Sequence, residues 1–264
     1  MRLLRFVHIY NGSRAEFVRL DACIEFLQEL MPALTFDVRN EKDILGDVSS
    51  TAKDFAFLRV RDISNDQAFE APQKAEVDYE MRRITDPQNT TSGILYDGFR
   101  ISEILLRHIP AHERNLSHLH VYITNQIMAS YDPEDRRYHA RYGIFSYPCI
   151  ISTTGIVVAP ARPREYYIAK HRLKSLAGDE IFDTMIKEQM KGRFIDYEDE
   201  RMNDCLKGIL LQSIFFQESG YPFCNRRDCR LFNAHWQEDL IRSQVGVGIG
   251  LCKEHLDFVM GHFS

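Results

Sequence analysis

Cys224-Asn225-Arg226-Arg227-Asp228-Cys229 is followed, beyond residues 230–251, by Cys252-Lys253-Glu254-His255. Two pairs of ligand-type side chains, each with a short internal spacing and joined by a longer arm, match how structural zinc is held. Each spacing folds into a turn that presents two donors, and the arm brings the turns together into a tetrahedron. Thiolate and imidazole suit zinc and exclude magnesium and calcium, which take oxygen. Cys224, Cys229, Cys252 and His255 are therefore expected to hold one structural Zn2+ ion. His235 and His262 are alternative donors, but only His255 has the two-residue spacing to Cys252. Four protein ligands leave no position for an activated water.

Outward from this segment, the chain reads as one domain over 1–264, with 220–262 as its zinc-clamped C-terminal lobe. The opening predicts strand, helix, strand: Leu3–Tyr10, then Ala15–Met31 with Phe17, Leu20, Cys23, Ile24, Leu27 and Leu30 at helical spacing, then Leu34–Val38. Phe55–Val60 is a further strand candidate, and the polar stretch 62–93 predicts a long surface excursion. Ile94–His108 reads as helix and Leu119–Ile123 as strand. Tyr142–Tyr147 and Cys149–Val158 read as two strands meeting near Pro148. Helices are expected over Tyr166–Leu176, Ile181–Met190 and Asn203–Gln217. Strands mixed with helices, then a helical second half, predict an α/β (α+β) fold with helices packed on one mixed sheet. Cys23, Cys149 and Cys205 stand in apolar runs and are expected to be buried thiols.

The segment before the first cysteine is Ser213-Ile214-Phe215-Phe216-Gln217-Glu218-Ser219-Gly220-Tyr221-Pro222-Phe223-Cys224. With Cys229-Arg230-Leu231 and Cys252 it resembles the archaemetzincins, a metallopeptidase family of metzincin type. That family carries HExxHxxGxxHC on a helix, then Cys-x-Met after four residues, and later Cys-x-x-Cys. The resemblance implies a metzincin-like mixed sheet. In the family the three histidines bind a catalytic zinc, the glutamate is the base, and four cysteines hold a structural zinc. Gly220, Cys224, Cys229 and Cys252 match, and His255 replaces the last cysteine. The histidine positions are Ser213, Gln217 and Phe223, the glutamate position is Ile214, and the methionine is Leu231. Hydroxyl and amide groups are poor zinc ligands and a phenyl ring is none. A degenerate, catalytically inactive relative, a pseudoenzyme with no catalytic residues, is the expectation.

Composition bounds the remaining classes. Net charge is −5 and charged residues make up 27%, which argues against a surface given over to nucleic acid. A local group, Arg226, Arg227 and Arg230 with Phe232, His235 and Trp236, keeps a zinc-supported nucleic-acid-binding module as one alternative. An active zinc metallopeptidase with unorthodox ligands is the other. No apolar run approaches a membrane span, and the brief apolar stretches near Arg2 and Arg5 do not make a signal peptide. A cytoplasmic protein that binds an extended peptide or protein segment along the former cleft is expected. His118 and His120 share one strand face, a possible metal pair near His108 and His112, with an ordinary strand edge as the simpler reading. Asp132–Arg137 reads as a solvated turn, and Gly246, Gly248 and Gly250 as a flexible approach to Cys252.

Overall fold

The computed structural model describes residues 4–66, 69–86, 88–89, 93–173, 186 and 188–264. Its frame is a five-stranded sheet. β1 (Phe6–Gly12) lies between β2 (Thr35–Asn40) and β4 (His118–Thr124), both parallel to it, and β4 pairs with the parallel β8 (Cys149–Ser152). The short β7 (Gly143–Ile144) closes the far edge antiparallel to β8. A second sheet joins β3 (Leu95–Asp97), β5 (Ile127–Asp132) and β6 (Arg137–Arg141). The chain adopts the expected mixed α/β architecture, but on two mixed sheets and not the one expected.

Side-chain alternation decides what each face of the main sheet meets. Val7, Ile9, Leu119, Val121, Ile123, Cys149 and Ile151 point into one core with α1 (Leu20–Leu30) and α8 (Met202–Ser219). Cys23 and Cys205 are buried in that core, as expected with Cys149. Tyr10, Tyr122 and Ile150 point the other way, toward α2 (Glu41–Leu45), α3 (Val48–Phe57) and α5 (Gly98–Leu106). The C-terminal helices α9 (Gln237–Gln244) and α10 (Lys253–Phe263) belong to the first core through Leu240, Val259 and Phe263. Phe263 also accepts the Ala33 N–H at 3.1 Å.

Several local expectations need correction. Phe55–Val60 is not a strand. Asp47 accepts the Ser50 N–H, and the helix it caps runs through Phe57 because Thr51, Ala52, Phe55 and Ala56 share its buried side. The excursion at 62–93 contains α4 (Lys74–Thr85), whose buried side sets charge beside the apolar Ile84: Glu80 accepts from Arg59, Arg83 and Tyr96. An apolar count does not register such a helix. Cys149–Val158 is extended only to Ser152, whose hydroxyl accepts the Gly155 N–H at 2.8 Å and starts α6 (Thr153–Val158). Ile94–His108 divides into β3 and α5 at Asp97, which caps the helix. The β5–β6 hairpin has little apolar contrast, and Asp132–Arg137 is its turn. After α7 (Arg164–Leu173), most of the expected helix Ile181–Met190 lies outside the described residues.

Candidate metal centres

Gly220, at φ +75°, ends α8 in the left-handed conformation and releases the chain into the Cys224–Cys229 turn. Within it the Cys229 N–H donates to Arg226 O, and the Arg226 N–H points at Cys224 Sγ, 3.3 Å away. The arm back to Cys252 is pinned by Arg230. Its backbone N–H donates to Gly250 O, and its guanidinium donates to the carbonyls of Asp204, Gly248 and Ile249. Gly246, Gly248 and Gly250 all take positive φ there, and a Cβ on Gly250 would lie 2.6 Å from Val247. Cys252 immediately precedes α10, so His255 returns to it within one turn.

The four expected side chains converge, with one donor atom of each within 4.8 Å of the others. Cys224 Sγ is 4.0 Å from Cys252 Sγ, Cys229 Sγ is 3.9 Å from His255 Nδ1, and Cys252 Sγ is 2.9 Å from the same nitrogen. Thiolates about 2.3 Å from a tetrahedral zinc stand ~3.8 Å apart, and a thiolate and an imidazole nitrogen ~3.6 Å, so the first two pairs need little adjustment and the third must open by roughly 0.6 Å. Burial pushes the Cys229 thiol up to about 12 and raises Cys224, while it lowers His255. A divalent cation supplies the charge that lets these buried thiols bind as thiolates. His262 instead packs on Phe258, and His235 lies elsewhere, in the cleft beside β7. Arg230 is 2% exposed; it serves the arm and is no part of a phosphate-binding patch.

The α8 positions opposite the family's histidines are committed to other work. Ser213 is fully buried and donates to Ile209 O at 3.0 Å. Ile214 is core, and Gln217 donates to Leu116 O at 3.3 Å. Phe223 packs edge-on against Phe145, with centroids 5.4 Å apart. Glu218, the nearby carboxylate, accepts the Leu4 N–H at 2.6 Å. Phe223 and Phe216 instead wall a cleft of about 430 Å³ along β6 and β7, which Arg141, Asn233 and His235 also line.

A second cluster lies on the opposite face of the sheet. The register sets His8 of β1 beside His120 of β4, and His118 follows two residues away on the same face. The three imidazoles each bring a ring nitrogen within 4.8 Å of the others. Asp37 Oδ1 is 2.9 Å from His8 Nδ1, and the Tyr10 hydroxyl is 3.0 Å from His120 Nδ1. Burial and the neighbouring His8 hold His120 down at about 3, and hydrogen bonds from Arg39 hold the nearby Glu113 carboxyl at about 2. Of the expected histidines, His118 and His120 do share a strand face. His112 is exposed and paired only loosely with Glu113, and His108 sits against Gly46. His8 escapes a linear reading because parallel pairing, not spacing, brings it to them.

Residues 4–260 match the family model described as "Probable metallopeptidase family (DUF6775)". The chain belongs to this family. No curated protein sequence matches it. Among solved structures it is similar to the archaemetzincin of Methanopyrus kandleri, at 9% identity and a TM-score of 0.42, over 98% of this chain and 94% of that one. Membership in a probable metallopeptidase family implies a metal. The Cys224, Cys229, Cys252 and His255 set fits zinc by donor chemistry and spacing. Ser213, Gln217 and Phe223, the positions that the resemblance to the archaemetzincins picks out, do not: one group is buried and bonded to its own helix, one is an amide, and one is a hydrocarbon ring. No helix among the described residues is long and apolar enough to cross a membrane.

Proposed function

We propose that the chain is a non-hydrolysing member of its metallopeptidase family, which keeps a structural zinc on Cys224, Cys229, Cys252 and His255 and binds an extended peptide in the cleft beside β7. The engagement of Ser213 with Ile209 O, inside the core, carries this reading. A catalytic zinc needs three donors and an open position at the surface of a cleft, and α8 presents neither. The cleft is supported by its walls. The edge strands β6 and β7 flank it, and Phe145, Phe216 and Phe223 furnish an apolar floor. An extended segment adding along such an edge gains main-chain hydrogen bonds, with pockets for alternate side chains. A segment carrying an aromatic or aliphatic anchor fits this lining.

The test pairs two assays on zinc-loaded protein. Unstructured casein should remain intact, and a library of extended peptides should yield binders with apolar anchors whose affinity falls at least about tenfold in Phe223→Ala. Chelator-sensitive cleavage of casein that disappears in Gln217→Ala would sink the non-hydrolysing reading. Peptide binding unchanged by Phe223→Ala would sink the cleft assignment.

A further inference from the structure

We propose that His8, His118 and His120 form a second metal site, built for a zinc-class divalent cation and leaving one coordination position free. The inference goes beyond the reading of α8 and the cleft and does not rest on it. The cluster lies across the sheet from the cysteines, so neither set supplies donors to the other.

Three observations carry it. The first is convergence: His8 Nε2 and His118 Nδ1 are 2.8 Å apart, and a nitrogen of His120 lies within 4.8 Å of both partners. Nitrogens bound about 2.05 Å from a tetrahedral ion stand ~3.3 Å apart. The first pair must open by roughly half an ångström, and the third imidazole starts from within 4.8 Å of both.

The second is bracing. A metal-bound imidazole uses one nitrogen for the ion and anchors the other on a carboxylate or hydroxyl, which sets the tautomer. His8 Nδ1–H donates to Asp37, which leaves Nε2 as a lone pair facing His118. His120 Nδ1 lies 3.0 Å from the Tyr10 hydroxyl, whose oxygen also accepts from Arg39 Nη1 at 3.3 Å; in the tautomer that donates Nδ1–H to that oxygen, His120 Nε2 is the inward lone pair that a metal takes.

The third is an orphan. His120 is wholly buried, and its Nε2 has no hydrogen-bond partner among the described residues. Glu113 Oε2, 3.7 Å away, is beyond hydrogen-bond reach. A buried polar atom left unmatched costs about 1–3 kcal/mol. A cation at this point turns that cost into a bond. Entry is from the His118 side, where that ring is only half-buried beneath the partly exposed Phe6. All-nitrogen donors select zinc, cobalt, nickel or copper over magnesium and calcium. Three ligands leave the fourth position to water, unlike the closed cysteine set.

Cobalt(II) titration of the metal-free protein separates the two sites, because only thiolate ligands give sulfur-to-cobalt charge-transfer absorption. Wild type should take up two equivalents at micromolar free cobalt, one with that band and one with ligand-field bands alone. His120→Ala and His118→Gln should each lose the second equivalent and keep the first, whose thiolate band also reports that the chain has folded. Should His120→Ala lose the band as well, the half-buried His118→Gln decides. Uptake that stops at one equivalent in wild type, or a second equivalent retained in His118→Gln, overturns the proposal. Casein cleavage lost in His120→Ala, with cobalt uptake as described, would overturn the non-hydrolysing reading and leave this site standing.

Discussion

At the scale of single residues, burial and partnership decide which polar side chains matter. Cys229 is wholly buried, and its thiol is pushed up to about 12 by that burial. Without a cation it stays protonated; with one it becomes a ligand. Cys229→Ala should abolish tight zinc at the cysteine site, read by elemental analysis after desalting, and lower stability by about 3 kcal/mol or more. Undiminished metal in that variant would refute the ligand assignment. Arg230 makes a different case. Read along the chain it belongs with Arg226 and Arg227, yet its guanidinium lies over Phe26, 5.1 Å from the ring centroid, and bonds carbonyls of both α8 and the glycine arm. Arg230→Met keeps the volume and strands those carbonyls, so urea denaturation should report a loss of about 2–3 kcal/mol. A change within error would mean that water replaces the guanidinium freely. The convergence of Cys224, Cys229, Cys252 and His255 was legible because each pair is closely spaced along the chain. The role of Arg230 and the place of His8 were not, because both depend on contacts formed only after distant segments pair.

At the scale of elements, the readable ones carry their apolar side at a regular period, as in β1, α1, β4 and α8. α4 is the instructive failure. Beside Ile84, its buried side is built on Glu80, fully buried among Arg59, Arg83 and Tyr96, so much of its amphipathicity is written in charges. Its N-terminus is equally electrostatic. The Gln73 N–H donates to Glu76, whose carboxylate also takes two bonds from Arg61, at 2.8 and 2.9 Å. Arg61 first, and the Gln73 N–H second, hold Glu76 at about 2, well below the ordinary glutamate value of 4.5. A carboxyl lowered on folding contributes stability that is fully present above its unfolded value and is lost as pH falls toward its folded one. The window is therefore about pH 4.5 down to 2. Glu76→Gln should cost about 1 kcal/mol at pH 7, and the gap from wild type should shrink toward zero near pH 2.5, measured by urea denaturation. A gap that does not change with pH would show that the charge is irrelevant and the cap purely geometric.

At the scale of the whole molecule, the segment proposed to bind zinc is wired into the central core. Val259 and Phe263 of α10 share one apolar cluster with Val7, Cys23 and Leu206, and the Phe263 carbonyl takes the Ala33 N–H close to β2. A clamp on such a segment acts on the common core, because loosening Cys252 and His255 frees α10, whose Val259 and Phe263 belong to that core and whose Phe258 packs on Phe215 of α8. Metal binding adds to the stability of whatever unfolds with the site. The single tryptophan, Trp236, stands next to α9 and is bridged to Ala161, so its fluorescence reports on the C-terminal segment, whereas far-ultraviolet circular dichroism reports on all helices. On chelation the two probes should melt together, at a midpoint lowered by about 10 °C or more if the metal contributes ~4 kcal/mol to a chain of this size. Tryptophan emission shifting well below the circular dichroism transition would mean that 220–262 detaches as a lobe of its own, and that the shared core is too weakly coupled to transmit the loss of the ion.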